Sequence, residues 1–234
     1  MICFSSCEKK QEIIDNEPVQ GCDIIEDCGD DSNTYGMTFK EAYESLNGKS
    51  NSSGKQHRSV SIPEDNPIIQ VDAKEIIQKI ENKETFYVYF GDELCPWCRS
   101  VIEKALEVAK KAGIEEIYYV QIWDDEGNEI LRDKYEIENG ELVQKVEISE
   151  EYQKLLDYFE DVLSEYTLTD DNDESIDVGE KRIYAPNFIY VKNGVAIRLT
   201  TGTSQLQEES RQELNDDILK DEENLFEVFF GVKQ

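Results

Sequence analysis

The sequence predicts an α/β fold with a central mixed sheet, and two patterns lead to this prediction. Residues 86–90 are an aromatic and β-branched run of the kind that is buried on both faces of a sheet. Apolar side chains at helical spacing follow in residues 100–112, and residues 117–123 predict the next strand, so these two strands are expected to be parallel. Two apolar runs around a Lys-Asn-Gly turn within residues 188–200 predict an antiparallel hairpin, which makes the sheet mixed.

The segment before the central strand carries start signals for two helices. Residues 37–47 suit a short helix capped by Thr38, with Glu41 three residues later to complete a capping box. Residues 68–71 predict a short strand, and Asp72 marks the start of a second helix with an apolar face at helical spacing. That face consists of Ile76, Ile77 and Ile80.

Residues 124–182, called the insert below, interrupt the alternation of strand and helix. An Asn-Gly pair at 139–140 predicts a hairpin, and residues 152–166 predict an amphipathic helix. Residues 170–177 are acidic and predict a solvated loop, because their glycine and glutamate spacing does not match a calcium loop. The chain is expected to end in a helix over residues 208–230.

Composition limits the possible functions. The chain has 234 residues, enough for one large domain or one domain with appendages, and a formal net charge of −29. A surface this negative repels phosphate backbones, so nucleic-acid binding is not expected. No apolar run approaches the roughly 18 residues that a membrane-spanning helix needs. The one histidine, His57, lies in a polar loop and is expected to be solvated and not catalytic.

The first 35 residues are polar and acidic, which predicts a flexible tether. The opening Met-Ile-Cys-Phe-Ser-Ser-Cys is similar to the end of a bacterial lipoprotein signal, in which Cys7 would carry the lipid. Two interpretations stay open. Either the protein works outside the cytoplasm on a Cys7 anchor, or the match is accidental and, with Met1 as the true start, the protein is cytoplasmic.

The tether holds two further cysteines whose role the sequence leaves open. Cys22 and Cys28 can close a small loop by a disulfide, or join Cys3 and Cys7 around a soft metal ion. Their spacing matches no zinc pattern, so no metal is expected.

Cys95 and Cys98 are spaced C-x-x-C between the central strand and the next helix, an arrangement typical of a redox-active pair. A sulfur at a helix N-terminus meets unpaired N–H groups and the positive end of the helix dipole, so we expect a lowered pKa for the Cys95 thiol. Asp92 and Glu93 oppose this effect. Cys95, at the exposed end, would attack a substrate disulfide, and Cys98 would resolve the mixed disulfide.

Other residues near the pair have expected roles. Pro96 suits the first helical position, where its missing N–H costs little. The candidate cations that would offset the acidic residues are Arg99, Lys181 and Arg182. Structural zinc is not expected, because the chain has no second C-x-x-C. An inert buried pair would not explain two cysteines that flank Pro-Trp at a strand–helix junction.

In this order (strand, Cys-Pro-Trp-Cys, helix, strand, Ala-Pro, hairpin, C-terminal helix) the chain resembles the thioredoxin superfamily over residues 66–123 and 183–232. The resemblance implies a thioredoxin-like domain over residues 66–232, with the insert before the strand that the proline begins. A separate helix and loop at residues 36–65 and the acidic N-terminal extension precede it.

The resemblance also implies the roles of individual residues. Cys95 corresponds to the nucleophile, Cys98 to the resolving thiol, and Pro186 to a cis-proline that lies beside the dithiol and presents backbone to a substrate. Pro96, Trp97, Ala185 and Pro186 are then the expected substrate-binding residues. An ordinary proline at the start of a strand is the alternative interpretation of Pro186.

Two longer motifs, Tyr-Phe-Gly-x-x-x-Cys-Pro-Trp-Cys-Arg and Glu-Lys-Arg-Ile-Tyr-Ala-Pro-Asn, are similar to exported thioredoxin-like proteins of Gram-positive bacteria. Some of these are called bacteriocin transport accessory proteins. The chain departs from ordinary thioredoxin in its Cys-Pro-Trp-Cys dithiol, which replaces Cys-Gly-Pro-Cys, in its insert and in its acidic extension.

The resulting expectation is a monomeric thiol–disulfide oxidoreductase that acts on cysteine-containing proteins and exchanges electrons with a redox partner. No cofactor is expected beyond the Cys95–Cys98 disulfide. The absence of a cation between the cysteines favours a reductase or exchange role over a strong oxidase. The alternative is a redox-inactive accessory or peptide-binding protein of the same fold, linked to export.

Overall fold

The computed structural model describes residues 37–124, 127–170, 172 and 174–232. The helices in this part of the chain are α1 (Phe39–Ser45), α2 (Ala73–Glu81), α3 (Pro96–Ala112), α4 (Glu150–Phe159) and α5 (Asp216–Phe230). The strands are β1 (Ile68–Gln70), β2 (Phe86–Gly91), β3 (Ile117–Gln121), β4 (Lys134–Glu138), β5 (Glu141–Val146), β6 (Ser164–Thr169), β7 (Ser175–Arg182), β8 (Asn187–Lys192) and β9 (Val195–Thr200).

Five strands form a central mixed sheet in the order β1-β3-β2-β8-β9. β1, β3 and β2 are parallel, and β8 is antiparallel to both β2 and β9. The expected α/β class with a central mixed sheet is therefore confirmed. β2 lies in the middle and is buried along almost its whole length, as its apolar run predicts.

Helices pack on the sheet in pairs, α2 with α4 and α3 with α5. The two crossovers, from β1 to β2 and from β2 to β3, run in opposite directions across the sheet. Because such crossovers are right-handed, α2 and α3 lie on opposite faces. The ends of both helices follow the sequence signals: Asp72 caps α2 by accepting from the Glu75 N–H, and Gly113 ends α3 in the left-handed conformation.

The N-terminal helix and loop fold onto this core. α1 has the predicted capping box between Thr38 and Glu41. The loop that follows is tied back by the His57 N–H, which donates to the Lys49 carbonyl. This closure leaves His57 only 3% exposed, so the prediction of a solvated histidine is wrong.

The insert contains two hairpins and one helix. The β4–β5 hairpin turns at Asn139 and Gly140, both with positive φ, as predicted. The predicted helix over residues 152–166 is too long, because α4 ends at Phe159 and Tyr166 lies in β6. The apolar spacing continues past Phe159, but residues 164–169 pair with β7 instead. The predicted acidic loop at 170–177 is likewise shorter, since β7 begins at Ser175.

The C-terminal helix begins later than predicted, at Asp216 and not near residue 208. Its cap is Asn215, whose side chain accepts from the Ile218 N–H. The residues between β9 and α5 form a loop in which Thr201, Thr203 and Ser204 are buried.

The predictions for the first 35 residues lie outside the described part of the chain. They concern the tether, lipidation at Cys7, and pairing or metal binding by Cys3, Cys22 and Cys28. Among the helices that are described, none is long and apolar enough to cross a membrane.

Candidate redox site

The site begins where β2 ends and α3 starts. Cys95 is the N-cap of α3, and its sulfur accepts a hydrogen bond from the Cys98 N–H at 3.3 Å. Pro96 occupies the first turn, as predicted. The backbone N–H whose hydrogen bond this sulfur accepts is one of the donors that a helix start leaves without a partner inside the helix.

A second segment meets the dithiol from the other side. β8 runs antiparallel to β2 with Phe90 opposite Asn187, which brings the residues just before β8 beside the turn just after β2. The Ala185–Pro186 peptide bond is cis, and the Cys95 thiol lies 3.5 Å from the Ala185 carbonyl oxygen, to which it donates. The expected cis-proline beside the dithiol is therefore present; its role toward a substrate stays a prediction.

Both sulfurs are buried. Cys95 and Cys98 are free thiols with no solvent exposure, and Pro96, Ala185 and Pro186 are buried with them. The prediction that Cys95 lies at an exposed end is wrong, because residues 91–100 are all packed into the molecule. The Trp97 side chain between the two cysteines is 9% exposed, so protein atoms cover both sulfurs in this conformation.

Two acidic residues before the dithiol are also buried. Asp92 accepts from the Leu94 N–H at 2.9 Å and from the Trp123 N–H at 3.3 Å, which holds the turn in place. Burial raises the pKa of the Asp92 carboxyl well above its ordinary value, and the neighbouring Glu93 raises it further. A carboxyl that resists ionisation opposes a thiolate at Cys95 less strongly than an ionised one would.

Two buried tyrosines that the sequence reasoning missed meet beside the dithiol turn. The Tyr89 hydroxyl lies 2.7 Å from the Tyr43 hydroxyl, which in turn lies 3.2 Å from the Asp92 carbonyl oxygen. Burial raises the pKa of the Cys98 thiol well above its ordinary value, and the neighbouring Cys95 raises it further. Strand alternation places Tyr89 on the same face of β2 as Gly91, which is the one sequence signal that points it toward the turn.

Arg99, a predicted modulating cation, is buried directly after Cys98. Its guanidinium donates to the carbonyls of Arg58 at 2.7 Å, Tyr43 at 2.9 Å and Glu93 at 3.2 Å, and to the Asn47 side chain at 3.0 Å. Burial lowers the pKa of Arg99 to about 10, so it is charged at neutral pH. It joins α1 and its loop to the dithiol turn.

The other two predicted cations pair with carboxylates of the insert. Lys181 lies 2.5 Å from Glu165 at the surface, and the buried Arg182 contacts Asp133 at 3.4 Å and Glu129 at 3.6 Å. Arg182 also lies 3.9 Å from the centre of the Tyr166 ring. Their charges therefore help to hold the insert together.

The insert is joined to the segment that leads to Pro186. Arg132, paired with Glu129, donates to the Ile183 carbonyl at 3.2 Å, and the Ile183 N–H donates to the Tyr152 hydroxyl at 3.1 Å. The Tyr184 hydroxyl donates to the Glu165 carbonyl at 3.0 Å. The insert is therefore hydrogen-bonded to the two residues that directly precede Ala185 and Pro186.

Within the described part of the chain, no group of three or more His, Cys, Asp or Glu side chains is arranged to hold a metal ion. Comparison of the sequence with protein-family models gives no match, and comparison with curated proteins gives none either.

Proposed function

We propose that this protein is a thiol–disulfide oxidoreductase of the thioredoxin-like fold. The observation that carries the proposal is the Cys95 sulfur, which caps α3 by accepting the N–H of Cys98, the second cysteine of the pair. This contact supplies a thiolate-stabilising donor and sets the second sulfur one turn away, as a dithiol exchange requires.

The strand order supports the finer description of the fold. The β1-β3-β2-β8-β9 sheet, with parallel strands on one side and an antiparallel hairpin on the other, follows the order of elements that the resemblance implies. Helices α2, α3 and α5 fall at the expected places between and after these strands. The insert lies between β3 and β8, where it adds two hairpins and α4.

The reaction transfers two electrons without a cofactor. The Cys95 thiolate attacks one sulfur of a substrate disulfide R–S–S–R′, which forms Cys95–S–S–R and releases R′S⁻. The Cys98 thiolate then attacks the Cys95 sulfur, which forms the Cys95–Cys98 disulfide and releases RS⁻. The two protons lost by the cysteines are taken up through water by the two product thiolates, so the substrate is reduced and the dithiol oxidised.

Because both sulfurs are buried, binding of the substrate has to expose Cys95 before the exchange can begin. Pro96, Trp97, Ala185 and Pro186 surround Cys95 in the chain and across the sheet, and they are the residues that a bound segment would contact. Cysteine-containing proteins are the proposed substrates, with a separate redox partner to regenerate the dithiol.

Trapping with single-cysteine variants tests this function. Cys98→Ser should accumulate a mixed disulfide between Cys95 and a cysteine of insulin or of a partner protein, because the thiol that would resolve this bond is missing. Cys95→Ser is the matched control and should trap none. The wild-type protein should catalyse insulin reduction by dithiothreitol; a wild-type rate no higher than the uncatalysed one would refute the proposal.

One observation favours a second candidate function. The complete burial of both sulfurs suits an accessory protein that keeps the fold and binds a peptide beside Pro186 without redox chemistry. The rate of Cys95 alkylation by iodoacetamide in the native protein separates the two. The oxidoreductase requires Cys95 to react through native-state opening, whereas a sealed dithiol should react only after global unfolding.

A further inference from the structure

The Arg99 side chain is fully buried and donates four hydrogen bonds, all of them to uncharged oxygen atoms. A guanidinium carries its N–H groups in a rigid planar fork, so it can hold several acceptors in one fixed arrangement. One acceptor is the carbonyl of Glu93, two residues before Cys95, at 3.2 Å. The other three acceptors belong to α1 and the loop after it, in Tyr43, Asn47 and Arg58.

Arg99 also supplies a cation to the end of α1. Tyr43 lies in the last turn of this helix, where carbonyl groups have no partner inside the helix, and its carbonyl accepts from Arg99 at 2.9 Å. The last turn of α1 has no basic residue of its own. A positive charge is favourable there, because the helix dipole is negative at its C-terminal end. The end of α1 is thereby joined to α3 directly after the second cysteine.

Arg99 holds the backbone on both sides of Cys95. Its backbone N–H donates to the Cys95 carbonyl at 3.0 Å, and its side chain donates to the Glu93 carbonyl. The preceding carbonyl, that of Asp92, accepts from the Tyr43 hydroxyl at 3.2 Å and from the Cys95 N–H at 3.3 Å. The turn that carries the first sulfur is therefore fixed to the helix that carries the second, and Arg99 makes two of these bonds.

We propose that Arg99 is a positioning residue of the exchange reaction: by holding the Glu93 carbonyl, it keeps the Cys95 sulfur aligned for attack by the second thiol. This inference rests on the proposed function. Arg99 acts through the backbone of the turn, and α1 with its loop supplies the other acceptors. That segment is therefore part of the redox centre, although Tyr43 lies 56 positions before Arg99 in the chain.

The step that depends on this alignment is the resolving step. The Cys98 thiolate attacks the Cys95 sulfur of the mixed disulfide Cys95–S–S–R, a bond forms between the two cysteine sulfurs, and RS⁻ leaves. RS⁻ takes up a proton from water to replace the one that Cys98 gave to water, so no other reactant is needed. An intramolecular attack owes its rate to alignment, and a displacement of about 1 Å can cost a factor of about 100.

Three substitutions test this role. Arg99→Met keeps an unbranched side chain and removes every donor. Arg99→Lys keeps the charge and loses the fork, so it should replace the bonds only in part. The matched control is Arg182→Met, because Arg182 is 1% exposed and donates to the Asp133 carbonyl at 3.0 Å, within the insert. A general loss of stability from removing a buried arginine should affect the control in the same way.

The measurement follows the reaction of each reduced protein with oxidised glutathione. Samples are quenched with acid at successive times, and free thiols are blocked with N-ethylmaleimide. Mass spectrometry of the peptide that contains both cysteines then gives the amounts of the mixed disulfide of Cys95 with glutathione and of the internal disulfide. The quantity compared is the first-order rate constant for conversion of the mixed disulfide into the internal one, in variants that circular dichroism shows to be folded.

Arg99→Met should lower this rate constant about tenfold or more relative to Arg182→Met, and Arg99→Lys should lower it by a smaller factor. Equal rate constants for Arg99→Met and Arg182→Met would overturn the proposal. A wild-type rate constant in Arg99→Lys would also overturn it, because a single charge would then replace the fork. Should Arg99→Met not fold, Arg99→Lys decides: a rate constant below that of Arg182→Met supports the proposal, and an equal one overturns it.

The wild type separates this inference from the proposed function. If the wild type reduces insulin and forms the internal disulfide through the mixed one, while Arg99→Met and Arg182→Met agree, only the role of Arg99 fails. A wild type that forms neither disulfide and reduces no insulin overturns the function and this role together.

Discussion

Replacing Gly91 with alanine tests the close approach between the Gly91 backbone and the ring of Tyr89, two residues earlier in β2. The new methyl group would lie 2.3 Å from the Tyr89 hydroxyl, well inside contact distance, and the ring is confined by Phe188 on one side and Tyr119 on another. The ring has to shift, and the hydrogen bond to Tyr43 is lost with it. Gly91 does not have a positive φ, so backbone strain does not contribute.

The expected magnitude follows from these two effects. Overpacking of a well-filled core costs about 1–3 kcal/mol, and loss of a buried hydrogen bond costs about 1 kcal/mol more. Gly91→Ala should therefore lower the free energy of unfolding by roughly 2–4 kcal/mol. The measurement is urea unfolding followed by tyrosine and tryptophan fluorescence at constant pH, with the denaturant slope checked for a change.

A second background makes this prediction specific. In Tyr89→Leu the ring end that meets the new methyl group is gone, so Gly91→Ala should cost less than about 1 kcal/mol there, because the methyl fills vacated space. Equal costs in the tyrosine and leucine backgrounds would show that the contact between residues 89 and 91 is not what makes glycine necessary, and the reasoning would be refuted.

Two further predictions concern buried charges. Glu222 is fully buried, and burial raises its pKa to about 8. Between the unfolded pKa of about 4.3 and pH 8 the folded state binds more protons than the unfolded state, so the free energy of unfolding should fall as the pH rises. Glu222→Gln should remove this decline when urea unfolding is measured across that pH range, and parallel slopes for variant and wild type would contradict the prediction. Glu129→Gln should cost roughly 3–5 kcal/mol, because it leaves two buried arginines without that carboxylate. The control is Glu165, which pairs with Lys181 at the surface, and Glu165→Gln should cost under about 1 kcal/mol. Equal losses in the free energy of unfolding for the two variants, measured by thermal or urea unfolding, would argue against a structural role for the buried pairs of Glu129 with Arg132 and Arg182.

Features with local signals could be predicted from the sequence. The capping box of α1, the Asp72 cap of α2 and the Asn-Gly hairpin turns each depend on residues within four positions of one another. The position of Cys95 at the start of α3 depends on a strand, a proline and a helical pattern that are adjacent in the chain.

In two of the predictions that failed, a distant partner decided the outcome. Tyr166 lies at helical spacing from the apolar residues of α4, yet it belongs to β6 because residues 164–169 find a partner strand in β7. His57 was expected in solvent because its loop is polar, but the closure of that loop buries it.

The candidate site divides in the same way. The sequence by itself determined that two cysteines lie one helical turn apart, that the first of them lies at a helix start, and that Pro186 directly precedes a strand of the same sheet, because caps, turns and strand patterns are properties of neighbouring residues. Only the tertiary structure decided that both sulfurs are buried, that Arg99 joins the dithiol turn to α1, and that Tyr43 and Tyr89, 46 positions apart, meet beside the Asp92 carbonyl. Those contacts depend on how the helices and strands pack around the sheet, and no short stretch of the chain encodes packing.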